Sequence, residues 1–352
     1  MNATSTEFAQ IDEIHRERGA DAAIDRVVEL LRSEQKYHQL FDALLLKKKH
    51  ALGAPLTHPT SFDDVPDAQR SEFEQAYINA AREVGESFLQ QGKIGQAWLY
   101  LRTIREPAKV VAAIERIQPG MPFDDEIIDI ALYQGVAPAK GLELLLSSHG
   151  TCSSITALDQ QFTQFPGDVR QKCAAILVRK LYDDLVETLR HEVERKQGLT
   201  PPGQTLRELI SGRDWLFNED NYHIDVSHLH AVVRFSRALE AGSPELPLAI
   251  QLAEYGSHLS SQYQYAGDPP FDDFYPAHVQ YLKAISGEGR DAALAYFREK
   301  IGADVHDTDN QLAALAYVDL MTRLERFDEA LDVAEKYLLN AQDQFGFSFA
   351  EL

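Results

Sequence analysis

The densest group of side chains that could carry chemistry lies between residues 215 and 230. Three histidines and one aspartate fall within eight positions there, namely His223, Asp225, His228 and His230. Neutral imidazole and carboxylate are ligands for zinc and other divalent ions. If Asp225 caps a helix, however, His228 and His230 project about 200° apart, because successive residues turn by roughly 100°. A metal centre would need His223, Asp225 and one later histidine; the favoured alternative is a helix cap with histidines at a surface or interface.

A second unusual stretch, residues 261–278, contains five aromatic residues and three prolines. Tyrosine combines apolar area with a hydroxyl group, which suits a binding surface. Tyr263, Tyr265, Phe274 and Tyr275 are therefore candidate partner contacts, although a loop packed over the joint between helices explains them equally. The histidine-rich stretch and this one flank a single predicted helical hairpin, so we expect that they can meet in space.

Other reactive patterns are incomplete. Cys152 lies close to His149, but no third group that would orient the histidine is evident. Two cysteines, Cys152 and Cys173, are too few for a disulfide framework and are expected to be buried in a reducing cytosol. No glycine-rich phosphate loop and no zinc-protease helix motif occurs. The sequence predicts no catalytic residue and no cofactor.

Helices must position these residues, because apolar residues recur at spacings of three and four along most of the chain. The clearest stripe runs from 166 to 198, with Asp168 as a candidate N-cap and Gly198 followed by two prolines as the stop. Similar stripes predict helices at 21–32, 36–51, 68–91, 95–105, 108–117, 125–134, 138–148, 226–241, 245–262, 276–286, 290–300, 309–324 and 328–342. We therefore predict an all-α chain in three regions, 1–52, 67–198 and 213–352.

The charge balance excludes some partners. Over 352 residues, 34 lysines and arginines stand against 55 acidic residues, a net charge of −21. Phosphate backbones and anionic membrane surfaces repel such a chain, so neither nucleic acid nor membrane is expected as a partner. No apolar run approaches the roughly 20 residues that span a bilayer, and the first residues do not read as a secretory signal. We expect a cytoplasmic protein.

Residues 84–101 resemble a tetratricopeptide repeat, in which two short helices pair through small residues. Gly85, Phe88, the turn residue Gly92, Ala97 and Leu101 fall at the intervals of that family. Partial matches recur elsewhere, and they are listed here by unit: Ile11, Ile14, Ala20, Ala23 and Val27; Ala249 and Gly256; Ala284, Ala293 and Phe297 with Arg290 at the turn; and Val318, Met321, Phe327, Ala330 and Ala334 with Glu325 at the turn. The region 107–240 departs from the pattern.

The resemblance implies stacked helical hairpins forming an α-solenoid, two-lobed with an irregular centre, and a concave surface that holds a protein or peptide. The family's binding positions fall on Asn79, Arg82, Glu86 and Gln90 in the first repeat, and on Leu312, Leu315, Asp319 and Arg323 in the last. A solvated helix face explains them equally well. We predict a non-enzymatic scaffold that favours a basic partner. The alternative is a metal-dependent hydrolase that uses the histidine cluster. The oligomeric state is left open.

Overall fold

A computed structural model describes residues 3–118, 120–199, 201 and 203–339, with side chains described from residue 7 except at 219 and 220. Every regular element in these ranges is helical, and no strand occurs among them. The prediction of an all-α chain is confirmed. The α-helices of the described chain are α1 (Ala3–Ser33), α2 (Tyr37–Ala51), α3 (Asp67–Gln90), α4 (Ile94–Leu101), α5 (Ala108–Glu115), α6 (Glu126–Ile128), α7 (Pro138–Gln161), α8 (Gly167–Gln197), α9 (Leu206–Ile210), α10 (Val226–Phe235), α11 (Leu246–Ser257), α12 (Phe274–Ser286), α13 (Arg290–Glu299), α14 (Thr308–Arg323) and α15 (Phe327–Tyr337). A π-helical turn, Asp129–Tyr133, continues α6.

The apolar stripe predicted for 166–198 forms α8. Its buried side chains include Cys173, Leu177 and Leu185, and it ends where Gly198 adopts a left-handed conformation with φ of 68°. One detail of the prediction is wrong, because Pro166 occupies the N-cap position and no side chain caps the helix. Asp168 lies in the first turn instead, where its carboxylate still favours the positive end of the helix dipole.

Two helices extend beyond their predicted ends because a glycine bends the chain without stopping it. Helix α1 begins well before residue 21 and is kinked at Gly19, and α7 continues past residue 148 through a kink at Gly150. Both glycines have φ near +80°, a conformation that other residues adopt only at a cost. Cys173 is buried as predicted, whereas Cys152, in the second half of α7, is exposed.

The chain divides into two compact units, residues 1–144 and 145–352, with the division inside α7. The three regions predicted from the sequence are separated by connections at 53–66 and 199–212. Each of these connections lies within one unit.

In the first unit, helices that follow one another in sequence pack against each other, from α1 to α5. Gly85 on α3 faces Leu101 on α4 so closely that a Cβ atom on the glycine would lie 2.7 Å from the leucine Cγ. The absence of a side chain at residue 85 therefore sets the spacing of this helix pair.

In the second unit, the long helix α8 packs against α9, α10 and α11, and from α11 onward the helices again pack in sequence order to α15. Gly256 on α11 lies directly against the ring of Tyr275 on α12, where a Cβ atom would come within 2.3 Å of the ring. None of the described helices combines the length and apolar character needed to cross a membrane.

Candidate functional site

Three helical hairpins are joined by turns of the same conformation. In α1–α2, α3–α4 and α14–α15, three residues separate the helices, and the middle one is left-handed: Gln35 with φ of 57°, Gly92 with 72° and Glu325 with 61°. The following residue is basic in each case, Lys36, Lys93 or Arg326, with ψ between 59° and 70°. The predicted turn at Glu325 is thus confirmed in its backbone geometry.

The same backbone hydrogen bonds close all three turns. The amide that follows the left-handed residue donates to the carbonyl five positions earlier, from Lys36 to Leu31 at 2.9 Å and from Lys93 to Phe88 at 3.0 Å. Arg326 donates to Met321 in the same way at 2.9 Å. This six-residue closure is the Schellman motif, which satisfies carbonyls at the end of the first helix. The same closure also ends α2, α4 and α12, so it is not confined to these hairpins. What the three hairpins share in addition is a three-residue connection whose last residue is basic, although their turn residues differ.

Most residues that carry the resemblance lie in the core. Phe88, Ala97 and Leu101 are buried in the first unit, as are Ala330 and Ala334 in the second. The turn residues are exposed, the residues of the N-terminal partial match are largely half-buried, and Phe327 is a large apolar residue with 51% of its surface exposed. It stands at the first position of α15, on a face that the described elements cover less than they cover the first residues of α2 and α4.

The binding positions predicted on α3 are engaged by the chain itself. Arg82 donates two hydrogen bonds to the carboxylate of Glu106, at 3.0 and 2.5 Å, and a third to the Asn79 side chain at 3.1 Å. Glu86 forms an ion pair with Lys109 on α5, and Gln90 is exposed. Asn79 also lines a groove of about 280 Å³ between α2 and α3. This face links α3 to its neighbours, and its ion pairs remain partly open to solvent.

Among the binding positions predicted on α14, Arg323 is buried more deeply than Arg82, whereas Asp319 is exposed. The Tyr281 hydroxyl donates to Asp319, and Arg323 donates to that hydroxyl at 3.2 Å. Arg323 also donates to the backbone carbonyls of Arg237, at 2.5 Å, and Leu239. Leu312 and Leu315 are half-buried. Arg323 therefore satisfies the carbonyls at the end of the α10 segment, so its contacts are internal.

Within the histidine cluster, Asp225 acts as the predicted helix cap. Its carboxylate accepts from the backbone amides of Ser227 at 2.8 Å and His228 at 3.3 Å, and these hydrogen bonds, led by one from the Ser227 hydroxyl, lower the pKa of Asp225. His223 lies against Tyr255, with 3.1 Å between its Nδ1 and the tyrosine hydroxyl. Burial lowers the pKa of His223, so its imidazole is neutral near pH 7.

The two unusual stretches do meet in space, as expected. Tyr222 contacts Tyr263 edge-on with ring centres 5.0 Å apart, and His230 stacks on Phe274 at 3.8 Å and meets Tyr265 at 5.4 Å. Among the four aromatic residues proposed as partner contacts, Phe274 and Tyr275 are buried, Tyr263 is half-buried and Tyr265 is 47% exposed. The region is thus mainly an internal aromatic joint, with Tyr265 at its surface.

The four proposed metal ligands have separate surroundings. Asp225 is engaged as a cap, His223 contacts Tyr255 and His230 stacks on Phe274. No group of three or more His, Cys, Asp or Glu side chains in the described ranges is arranged to hold a metal ion. The geometry therefore gives the hydrolase alternative no support.

Sequence reasoning missed two members of this joint, His278 and Arg237. The Nδ1 of His278 lies 2.7 Å from the Phe274 carbonyl and must donate to it, which leaves Nε2 as a bare acceptor, buried and without a hydrogen-bond partner. Burial lowers the pKa of His278 well below its usual value, and the charge of Arg237 acts in the same direction. Arg237 lies over the Phe271 ring at 4.6 Å. For Arg237, the available signal was its spacing with His230 and Arg234, at successive intervals of four and three residues.

No protein-family model, no curated protein and no solved structure matches this chain. The assignment of function therefore depends on the geometry alone.

Proposed function

We propose that this chain is a non-enzymatic interaction scaffold: a tetratricopeptide-like α-solenoid that binds a protein or peptide segment and favours a basic one. The observation that carries the proposal is the hairpin repeated in α1–α2, α3–α4 and α14–α15, with one turn conformation and one hydrogen-bond closure. Repeats of this kind build extended surfaces from side chains on successive helices, and such surfaces serve binding more often than catalysis.

The preference for a basic partner follows from charge. The whole chain carries −21, and between residues 301 and 339 nine acidic side chains stand against three basic ones. An acidic surface accelerates the arrival of a positively charged segment, and salt screens that attraction over about 8 Å at physiological ionic strength.

Binding of fluorescent peptides to the full chain tests this proposal. A set of peptides of equal length, basic, neutral or acidic, is titrated by fluorescence anisotropy at low and at high sodium chloride concentration. We expect the basic peptides to bind most tightly and to lose on the order of tenfold in affinity as the salt concentration rises.

Equal binding of acidic and basic peptides, or binding that ignores salt, would contradict the electrostatic preference. Elemental analysis tests the enzyme alternative in the same preparation. A stoichiometric metal that is lost in His223→Ala would favour a metal-dependent hydrolase over a scaffold.

A further inference from the structure

The outer face of α15 exposes two apolar positions, of which α2 buries both and α4 buries the first. Counting from the left-handed turn residue, Phe327 corresponds to Tyr37 in α2 and Ile94 in α4. Tyr37 and Ile94 are 9% and 7% exposed, whereas Phe327 is 51% exposed. The difference lies in what covers these positions, since all three residues are large and apolar.

The next position on this face shows the same contrast with α2, while the corresponding residue of α4, Trp98, is half-buried. Leu331 corresponds to Phe41, which is 7% exposed, and it is itself 43% exposed. In α2, Phe41 packs edge-on against Tyr77 of α3 at 5.2 Å and against Tyr100 of α4 at 5.0 Å. The covering element in α2 is thus the following helical hairpin. Phe327 and Leu331, four residues apart on one helix face, stand where a further helix would pack.

Carboxylates border these two side chains. Asp328, Asp332 and Glu335 are exposed, and none of them forms an ion pair with another described residue. Most acidic side chains on α3 differ in this respect, because Glu72, Glu83 and Glu86 are each paired with a lysine or an arginine. We call the surface formed by these five residues of α15 the α15 face.

We propose that the α15 face is a docking surface for an amphipathic helix with a basic polar side, contributed by a partner protein. This inference rests on the proposed function and names the partner's chemistry. Leucine-like side chains of such a helix would cover Phe327 and Leu331, as α3 covers Tyr37 and Phe41, while its lysines or arginines pair with the three carboxylates. A second copy of this chain fits less well, because a two-fold contact through the α15 face would bring six carboxylates together.

The test uses the full chain and a synthetic helix-forming peptide that is about two helical turns longer than α15, with leucines on one face and lysines on the other. Its affinity is measured by fluorescence anisotropy for the parent chain, for Phe327→Ser/Leu331→Ser and for Leu99→Ser. Leu99 is a matched control, since it is 44% exposed and lies on α4 in the other unit. All replaced side chains are largely exposed, so circular dichroism should show unchanged helix content.

We expect the double variant to bind the peptide about tenfold more weakly and Leu99→Ser to bind within about twofold of the parent chain, because only the first change removes apolar area from the interface. Charge is tested separately with Asp328→Asn/Asp332→Asn/Glu335→Gln. Its control, Glu13→Gln/Glu17→Gln/Glu74→Gln, changes the net charge equally at exposed carboxylates of the other unit. The first triple variant should weaken binding severalfold more than the second.

Three results would overturn the inference. The first is unchanged peptide affinity in the double variant while the parent chain binds basic peptides; the proposed function would then stand with its surface elsewhere. The second is an equal loss of affinity in Leu99→Ser. The third is a dimer in sedimentation analysis that the double variant abolishes, which would assign the α15 face to a second copy. Failure of every basic peptide to bind the parent chain would instead count against the proposed function itself.

Discussion

Replacing Glu325 by glycine should stabilise the second unit, although it removes a side chain. Glu325 has φ of 61°, in the left-handed region, and its side chain is exposed with no ion pair to another described residue. A residue other than glycine in that region destabilises the folded chain by about 1–2 kcal/mol. Glycine avoids this strain but loses more conformational entropy on folding, which costs roughly 0.5–1 kcal/mol. The net expectation is a gain of about 0.5–1 kcal/mol in the free energy of unfolding.

The control is the same substitution at a helical position. Glu335 on α15 is also exposed and has no ion pair with a described residue. Glycine there lacks the conformational gain and should cost about 1 kcal/mol, the usual penalty in a helix interior. Glu325→Gly and Glu335→Gly therefore have opposite expected signs, and composition alone cannot produce that difference.

Urea unfolding gives the assay. The chain has two tryptophans, one in each unit, so a Trp98→Phe background leaves Trp215 as the reporter of the second unit. Amide hydrogen exchange in α15 adds a local measurement, because a terminal hairpin can open without unfolding the rest. A loss of stability in Glu325→Gly comparable to that in Glu335→Gly would refute the assignment of a common turn to the three hairpins, and with it the main support for the proposed function.

Two further predictions address the second unit. His278→Phe should flatten the dependence of stability on pH between about 7.5 and 5.5. The pKa of His278 is lowered in the folded chain, so its contribution to the free energy of unfolding is complete above the unfolded pKa of 6.5 and is lost as the pH falls below it, by up to about 1.4 kcal/mol per pH unit. Urea midpoints at both pH values measure this, and an equal slope in the variant would show that His278 takes no part. Arg323→Ala should lower the free energy of unfolding by about 2–4 kcal/mol, because it leaves buried carbonyls without donors. Arg82→Ala should lower it by less than about 1 kcal/mol, because its ion pair is half-exposed. Similar losses in both variants would contradict this difference between the two arginines.

Helix positions follow from the sequence where apolar spacing is strong, and they are missed where it is weak. The stripe through Cys173, Leu177 and Leu181 predicted α8 to within about a residue at each end. The apolar stripe of α1 was predicted only from residue 21, although Ile11 and Ile14 were placed in a partial repeat, and the second part of α7, beyond the kink at Gly150, was missed. A glycine permits a kink and a helix end equally, and only packing decides between them.

Composition predicted where the candidate site lies, but it did not predict which of its side chains are buried. The stretches around His230 and Tyr265 were expected to meet, and they do. That Phe274 and Tyr275 are buried depends on α10 and α11, which pack over them, and no local pattern carries that information. His278 was missed for the same reason, since a single histidine on an amphipathic helix gives no signal until the neighbouring rings are known.

The three turns show why residue identity alone does not find every hairpin of this local structure. Gln35, Gly92 and Glu325 adopt one conformation, yet only Gly92 is the residue type that this conformation favours. What the turns share is an apolar residue whose carbonyl closes the loop and a basic residue that opens the next helix, as in the pairs Leu31–Lys36 and Met321–Arg326. Packing of the hairpin offsets about 1 kcal/mol of strain at each non-glycine turn, so the same backbone forms without the glycine that favours it. The α15 face can be recognised by the same reasoning: once the hairpins are aligned by their turns, Phe327 and Leu331 are exposed at positions that α2 buries, and α4 buries the first of them.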